Sequence, residues 1–255
     1  MSYGFFASVY DILTENVDYE KIADRIDALF GKEIKEKGSL LDLGCGTGTL
    51  SFLLEEKGFD VIGIDKSEDM LAEGFEKKSE LVSNVMFLCQ DLTELDLYGT
   101  AASAVCVLDT VNHIDKAEKI YEFFRRVSLF LEMNGLFLLD INTPYKHRSV
   151  LADNTFIYDT DNVYCIWQNF YDKNARQTHI DLDFFIKDGD CYFKESESFF
   201  EYEYDINDII SMLEQNGFTV LKQFDGYSNE NPTEKTERIV LLAQKTNLIS
   251  EDEIK

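Results

Sequence analysis

The hydrophobic pattern over residues 1–141 alternates between two spacings. Short apolar runs of strand length are separated by stretches in which apolar residues recur every three or four positions, the spacing of amphipathic helices. The strands are predicted at 39–43, 59–65, 85–92, 104–113 and 136–142, and the clearest helices at 18–30, 49–57 and 115–133. This alternation predicts a doubly wound parallel sheet with helices packed on both faces.

Between residues 142 and 205 the spacing changes to period two. Ile180, Leu182 and Phe184 alternate with Asp181 and Asp183, which is the pattern of a half-buried antiparallel strand. Turn residues are concentrated at 159–162, 172–176 and 187–190. We therefore expect an inserted antiparallel β subdomain of about four strands, placed as a lid near the carboxyl ends of the sheet strands.

The first predicted strand runs into a glycine-rich loop, 42–48, which reads Asp-Leu-Gly-Cys-Gly-Thr-Gly. Glycines at alternate positions permit positive φ angles and let a ligand approach the bare backbone. A dinucleotide site requires the spacing G-x-G-x-x-G, and Thr49 stands where its third glycine would be. The acidic loop therefore favours a small cofactor without a pyrophosphate over NAD.

Polar side chains follow the other predicted strands at their carboxyl ends. Asp65 ends the second apolar run, Asp91 ends the third, and Asp109 and His113 lie at the end of the fourth. A single acid at a strand end is explained by turn preference alone. Ligands of parallel sheets bind outside these ends, and an acid at the second strand can accept both ribose hydroxyls. The full set therefore favours a nucleoside cofactor.

The loop and these acids resemble the class I methyltransferases that use S-adenosylmethionine. The resemblance covers about residues 3–245 and implies a Rossmann-like α/β fold with a seven-stranded sheet, whose last two strands, 218–224 and 236–244, form an antiparallel hairpin. It also implies that Asp65 holds the ribose and that Asp91 lies near the adenine amino group. The implied cofactor-binding positions are Tyr10, Asp42, Gly44, Cys45, Gly46, Gly48, Asp65, Lys66, Met70, Asp91, Leu92 and Leu108.

The opening segment 3–11, Tyr-Gly-Phe-Phe-Ala-Ser-Val-Tyr-Asp, resembles the start of a bacterial subgroup of this family. In that subgroup the segment folds over the cofactor as a lid, and an aromatic hydroxyl reaches the cofactor carboxylate. Tyr10 is the first candidate for this contact and Tyr3 the second, and Tyr3 is also a candidate on the substrate side. A helix that simply packs over the sheet is the alternative interpretation.

Methyl transfer is a displacement at an activated methyl group, so the protein mainly aligns the reactants and excludes water. A base is needed when the nucleophile arrives protonated, and His113 and Asp109 are the candidates. His113 could equally be a residue at the start of a helix. Asp109 could have no catalytic role and serve only to hydrogen-bond the backbone or the amino end of the cofactor. The Asn/Asp-Pro-Pro-Tyr sequence of family members that methylate planar amines is absent here. This favours small-molecule amines, hydroxyls and carboxylates.

The insert contains 15 of the 34 aromatic residues of the chain. β-propensity and a small core of its own are one explanation. The functional explanation is a substrate pocket walled by insert aromatics, and we expect Tyr164, Trp167 and Tyr202 to form that wall.

The charge balance narrows the range of partners. With 24 basic and 49 acidic residues, the formal net charge is −25, which disfavours nucleic-acid phosphates and anionic lipid surfaces as partners. The five cysteines lack metal-binding spacing, the opening residues do not have the pattern expected of a signal peptide, and no apolar run has the length expected of a bilayer-spanning helix. We expect a cytoplasmic protein without a metal.

The sequence thus predicts an S-adenosylmethionine-dependent methyltransferase acting on a small or medium organic molecule through a nitrogen or oxygen nucleophile. An RNA or protein methyltransferase and a non-catalytic cofactor-binding or interaction protein remain as alternatives. The predicted division is a cofactor domain at 1–141 and 206–245, the insert at 142–205 and a tail at 246–255.

Overall fold

The computed structural model describes residues 4–33 and 37–248. Within these ranges the helices are α1 (Gly4–Leu13), α2 (Tyr19–Glu33), α3 (Thr49–Glu56), α4 (Glu68–Leu81), α5 (Ala117–Phe130) and α6 (Ile206–Gln215). The strands are β1 (Ser39–Leu43), β2 (Asp60–Asp65), β3 (Met86–Cys89), β4 (Ala101–Cys106), β5 (Leu131–Asn142), β6 (Thr155–Asp159), β7 (Val163–Asp172), β8 (Gln177–Asp188), β9 (Cys191–Tyr202), β10 (Phe218–Asp225) and β11 (Arg238–Lys245).

Seven strands form the large sheet, in the order β10-β11-β5-β4-β1-β2-β3. β1 pairs in parallel with both β2 and β4, so the strand order reverses beside β1. β11 pairs antiparallel with β5 and with β10. The predicted seven-stranded α/β sheet with an antiparallel last strand is confirmed, and its reversal point is where such sheets bind ligands.

Apolar side chains fill both faces of this sheet. Phe123 and Phe124 of α5 pack against Phe137 on one face, and Phe30 of α2 packs with Phe59 on the other. The helical spacing of the apolar residues explains this, because one stripe of each helix is buried and the opposite side is solvated. None of the helices in the described ranges combines the length and apolar character that crossing a bilayer requires.

The second sheet is an antiparallel meander in the order β6-β7-β8-β9. Period-two burial follows the sequence pattern, with Ile180, Leu182 and Phe184 buried along β8. The turn between β8 and β9 contains Gly189, whose φ of 60° lies in the left-handed region that glycine adopts without strain. The predicted antiparallel sheet of the insert is confirmed.

Two predicted elements differ from the structure. The fourth apolar run leaves the sheet at Cys106, because Leu108 and Asp109 adopt φ angles of 56° and 63° and turn the chain into a short 3₁₀ helix, Thr110–His113. The helix predicted to reach residue 133 ends at Phe130, and β5 begins at once with Leu131. Long-range pairing with β4 and β11 outweighs the local helical spacing in the second case.

Polar side chains hold the residues that follow β5 against the strands of the insert. The Glu203 carboxylate accepts hydrogen bonds from Arg148 Nε at 2.8 Å and from Arg176 Nε at 2.9 Å. His147 is fully buried, and its Nδ1 lies 2.9 Å from Thr178 Oγ1. The insert contacts the carboxyl end of β5 through Asn142, whose Nδ2 donates a hydrogen bond to Glu201 Oε2 of β9 at 2.9 Å.

Candidate active site

The glycine-rich loop leaves β1 with three left-handed residues, since φ is 79° at Gly44, 54° at Gly46 and 77° at Gly48. A Cβ at Gly44 would lie 2.4 Å from Thr110 Cγ2, so no larger residue fits there. At Gly46 a Cβ would meet only Tyr10 Cε1, at 3.9 Å. The backbone at Gly46 is therefore open toward the space between the loop and α1.

Asp65 connects the end of β2 to this loop. Its Oδ2 accepts the backbone N–H of Gly46 at 2.9 Å, and its Oδ1 accepts the backbone N–H of Ser67 at 2.9 Å. Each carboxylate oxygen has further lone pairs that can accept hydroxyl donors. The loop and the predicted ribose acceptor are thus held in one rigid unit.

Asp42 lies buried beneath the loop. Its Oδ2 accepts a hydrogen bond from Ser51 Oγ at 2.5 Å, and burial raises the pKa of its carboxyl to about 6. The short helix α3 is thereby tied to the end of β1. Asp42 supports the loop from below and also contributes to the cavity above it.

A cavity of about 420 Å³ lies over the carboxyl ends of the central strands and reaches under the insert. Eleven of the twelve predicted cofactor-binding residues line it. Gly48 does not, because it faces the ring of Phe87, whose Cζ would lie 2.6 Å from an added Cβ. The eleven are Tyr10, Asp42, Gly44, Cys45, Gly46, Asp65, Lys66, Met70, Asp91, Leu92 and Leu108.

Asp109 is held at the cavity wall by a buried ionic network. Asp140, which is fully buried, accepts the backbone N–H groups of Leu108 at 2.8 Å and Asp109 at 3.0 Å. Arg238 bridges the two carboxylates, with Nη1 2.8 Å from Asp140 Oδ2 and Nη2 bonded to Asp109 Oδ1. Burial alone would raise the pKa of Asp109, but Arg238 and Lys146 outweigh it and hold that pKa at about 2. Asp109 is therefore an anion that Arg238 already balances.

His113, Asp109 and Glu201 meet at the cavity floor. Each offers one side-chain atom that could ligate a metal, and these three atoms lie within 4.8 Å of one another. A cluster of this kind can hold a metal ion, and the sequence spacing did not reveal it. Lys146 and Arg238 also line this region and add two positive charges, which disfavours a divalent metal ion bound by all three groups.

His113 stands where the sequence predicted it, at the end of the 3₁₀ helix. Its ring packs against Phe199 with 5.4 Å between centroids. Its Nδ1 is shielded from solvent and has no hydrogen-bond partner among the described residues. His113 itself lines the cavity.

Only one of the three predicted insert aromatics lines the cavity. Trp167 does so, while Tyr164 and Tyr202 do not. Tyr164 lies three positions from Trp167 and therefore faces the opposite side of β7, where it meets Phe185. Period two separates Tyr164 and Tyr202 from the inward residues of their own strands, so of the predicted substrate wall only Trp167 lies at this cavity.

The N-terminal helix is fastened to the loop beside the cavity. Asp11 accepts hydrogen bonds from Thr47 Oγ1 at 2.7 Å and from Lys77 Nζ at 2.6 Å. Lys77 also donates to Thr47 and Thr49, both at 2.9 Å. Burial raises the pKa of Tyr10, which keeps its hydroxyl protonated as a donor. Tyr3 lies outside the described residues.

Several residues that line the end of the cavity beneath the insert were not predicted from the sequence. They reach it through long-range strand pairing, which a linear pattern does not show. The sequence partly indicates Glu201, since it lies two positions after Phe199 on β9 and therefore on the same face of the strand. The missed residues are Lys146, Tyr158, Phe199, Glu201 and Arg238.

This chain is similar to methyltransferases in sequence and in structure. Residues 40–135 match the family described as a methyltransferase domain. "Putative methyltransferase YqeM" of Bacillus subtilis (strain 168) is 32% identical over 250 residues, which are 98% of this chain and 99% of that protein. An S-adenosylmethionine-dependent methyltransferase structure from Clostridium acetobutylicum ATCC 824 matches with a TM-score of 0.88 at 32% identity, covering 96% of this chain and 99% of that one.

The fold extends to more distant proteins. The S-adenosylmethionine-bound structure of CalS10, an amino pentose methyltransferase from Micromonospora echinaspora, matches with a TM-score of 0.75 at 16% identity, over 93% of this chain and 97% of that chain. Identity this low shows a shared fold alone. The relatives matched at 32% identity over nearly their whole length decide the family: the chain belongs to the class I S-adenosylmethionine-dependent methyltransferases.

Proposed function

We propose that this enzyme transfers the methyl group of S-adenosylmethionine to a nitrogen or oxygen atom of a small or medium organic molecule. The observation that carries the proposal is one continuous cavity with two chemically different sides. The glycine-rich loop, Asp65 and Asp91 form one side. Trp167 and Phe199 of the insert form the other side. A cofactor on the first side would face an acceptor on the second.

The residues of the first side fit S-adenosylmethionine. The open backbone at Gly46 accommodates a ligand that a Cβ would displace, and Asp65 offers carboxylate oxygens to two ribose hydroxyls. We assign Asp91 to the adenine amino group and Tyr10 to the cofactor carboxylate. When bound, S-adenosylmethionine supplies a methyl group already activated by its sulfonium.

The second side would hold and orient the acceptor. Insert residues 142–205 act as a lid, since Trp167 and Phe199 close the cavity from above the strand ends and exclude water. His113 is our candidate for the group that accepts a proton, because its Nδ1 is shielded and unpartnered in the described structure. Asp109 is a candidate for a positioning role, since Arg238 holds it as an anion.

The charge and the cysteines support a small-molecule acceptor in the cytoplasm. A net charge of −25 opposes binding of RNA or DNA. All five cysteines are free thiols, as is usual in a reducing compartment. RNA or protein methylation remains the competing proposal, and it requires a basic or grooved surface that the overall charge disfavours.

The test is methyl transfer from S-adenosylmethionine carrying a labelled methyl group, added with the protein to a cell extract separated into small molecules and macromolecules. We expect label in the small-molecule fraction only, and less of it with His113→Gln. Label confined to the protein or RNA fraction would favour the competing proposal. S-Adenosylhomocysteine binding without any transfer would favour a non-catalytic protein.

A further inference from the structure

The acceptor side of the cavity carries an unbalanced negative charge. Asp109 and Glu201 line it and the fully buried Asp140 bonds Arg238 behind it, so three carboxylates stand against the two cations Arg238 and Lys146. Arg238 already bridges Asp109 and Asp140. In the described part of the chain, no lysine or arginine forms an ion pair with Glu201. One ligand cation would complete the charge balance.

Glu201 is built into the cavity wall rather than into the solvent-exposed face of β9. Its residue exposure is 3%, and its Oε2 accepts a hydrogen bond from Asn142 Nδ2 at 2.9 Å. Asn142 Oδ1 in turn accepts from Lys146 Nζ at 2.9 Å. This chain of bonds orients the carboxylate, and a buried anion held in this way attracts a cationic partner.

The walls beside Glu201 are aromatic. Phe199 lies two positions earlier on the same face of β9, and Trp167 lines the same cavity. The indole N–H of Trp167 is already donated to Asn169 Oδ1 at 2.6 Å, so its ring offers an aromatic surface. Tyr158 stacks on Trp167 with 6.1 Å between centroids. Aromatic faces next to a carboxylate suit an organic ammonium ion.

We propose that the acceptor is a primary or secondary amine, bound as its ammonium ion against Glu201 and beside the rings of Trp167 and Phe199. This inference rests on the proposed small-molecule function and names the substrate class of the same site. Asp109 and His113 lie within reach of the same ammonium group, because one carboxylate oxygen of Asp109, one ring nitrogen of His113 and one carboxylate oxygen of Glu201 are within 4.8 Å of one another.

The reaction requires that the ammonium ion lose one proton before attack. For an ammonium substrate bound against Glu201, that carboxylate rather than the His113 candidate named above takes the proton, and the electron pair of the broken N–H bond remains on nitrogen. The nitrogen then bonds the methyl carbon while the bond from that carbon to sulfur breaks, and its electron pair passes to sulfur. The products are the methylated ammonium ion and S-adenosylhomocysteine, and Glu201 later returns its proton to solvent.

The protein environment suits an amine better than an alcohol or a carboxylate. Burial and the charge of Asp109 raise the pKa of Glu201, which brings it closer to that of an alkylammonium, about 10. An aliphatic alcohol is far less acidic than an ammonium ion, so a carboxylate base is much less effective on it. A carboxylate acceptor would meet the like charges of Glu201 and Asp109.

The test measures binding to the full chain saturated with S-adenosylhomocysteine, which has no methyl group to transfer. The probes are matched sets: cyclohexylamine, cyclohexanol and cyclohexanecarboxylate, and benzylamine, benzyl alcohol and benzoate. We expect each amine to bind at least about tenfold more tightly than its partners, and Glu201→Gln to remove that preference. Glu201→Asp should retain part of it, and Glu195→Gln, an exposed change on the same strand, should retain all of it.

Equal affinity within each set, no amine binding in either set, or an unchanged preference in Glu201→Gln would overturn the inference. If Glu201→Gln does not fold, the wild-type ranking decides alone. The proposed function is tested separately: methyl transfer to an alcohol or carboxylate would keep it while overturning the amine assignment. Failure to bind S-adenosylhomocysteine at all would contradict the proposed cofactor side.

Discussion

The carboxylate of Asp65 accepts the backbone N–H of Gly46 across 2.9 Å, which joins the tip of β2 to the centre of the glycine-rich loop. A charged acceptor and an open backbone are therefore presented to the same part of the cavity. Strand and loop cannot move independently while this bond is intact.

Asp65→Asn should weaken binding of S-adenosylhomocysteine about 10- to 100-fold, or about 1.5–3 kcal/mol, because the charged acceptor for the ribose hydroxyls is lost. Calorimetry on the purified protein measures this directly. Asp60→Asn, at the exposed start of the same strand, is the matched control and should bind like the wild type. Unchanged affinity in Asp65→Asn would remove Asp65 from the ribose site.

Asp11→Asn should speed release of S-adenosylhomocysteine several-fold with little loss of stability. The contact of Asp11 with Lys77 is half exposed, and such ion pairs contribute about 0–1 kcal/mol to folding. The change nevertheless loosens α1 from Thr47 at the loop. Trp167, the only tryptophan in the sequence, lines the cavity and provides a fluorescence signal for stopped-flow measurement.

Glu76→Gln is the control for Asp11→Asn, because it is an exposed charge change on α4, one position from Lys77. It should leave the release rate unchanged. A normal release rate in Asp11→Asn would mean that α1 packs over the sheet without retaining the cofactor.

Asp140→Asn should lower the free energy of unfolding by about 3–5 kcal/mol, the usual cost of breaking a buried ion pair from one side. The carboxylate holds Arg238 and both left-handed residues, Leu108 and Asp109. Urea unfolding followed by circular dichroism gives the value. Asp161→Asn, in the exposed turn after β6, should change it by less than about 0.5 kcal/mol. Equal effects of the two variants would contradict a structural role for this network.

His147 should make the protein less stable in mild acid. Burial lowers its pKa from the ordinary 6.5 to about 4, so the unfolded chain takes up a proton below pH 6.5 while the folded chain does not. This contribution to stability is complete above pH 6.5 and is lost as the pH falls toward 4. Between pH 7.5 and 5.0 the loss is about 2 kcal/mol.

The measurement compares the wild type with His147→Gln in urea unfolding at both pH values. The gap in stability between the two should narrow by about 2 kcal/mol at pH 5.0, because only the wild type has the titrating ring. Thr178→Val removes the partner of His147 and keeps the ring, so it should retain the pH dependence. A constant gap would show that His147 is not buried as a neutral ring.

The loop side of the cavity, which we assign to the cofactor, was predictable because its signals are local. Gly44, Gly46 and Asp65 each follow a buried strand directly, and parallel strands bring such ends to one edge of the sheet. The acceptor side was not. Arg238 reaches it only because it pairs with Asn142 in the register of β11 with β5.

The insert shows the same limit within a correctly predicted sheet. The alternation of apolar and polar residues predicted its four strands. Which face of each strand points to the cavity depends on how the sheet packs, and the alternation does not show this. Trp167 and Tyr164 differ by three positions and cannot share a face, so at most one could line the pocket. Glu201 lies beside His113 only through the packing of β9, which the linear sequence does not show.

The most direct test of the account is a crystal structure of the protein with S-adenosylhomocysteine. We expect the ribose hydroxyls on Asp65, the adenine beside Asp91 and Leu92, and an open space bounded by His113, Trp167 and Glu201. A nucleoside bound elsewhere, or one that fills the space beneath the insert, would contradict the division of the cavity into a cofactor side and an acceptor side.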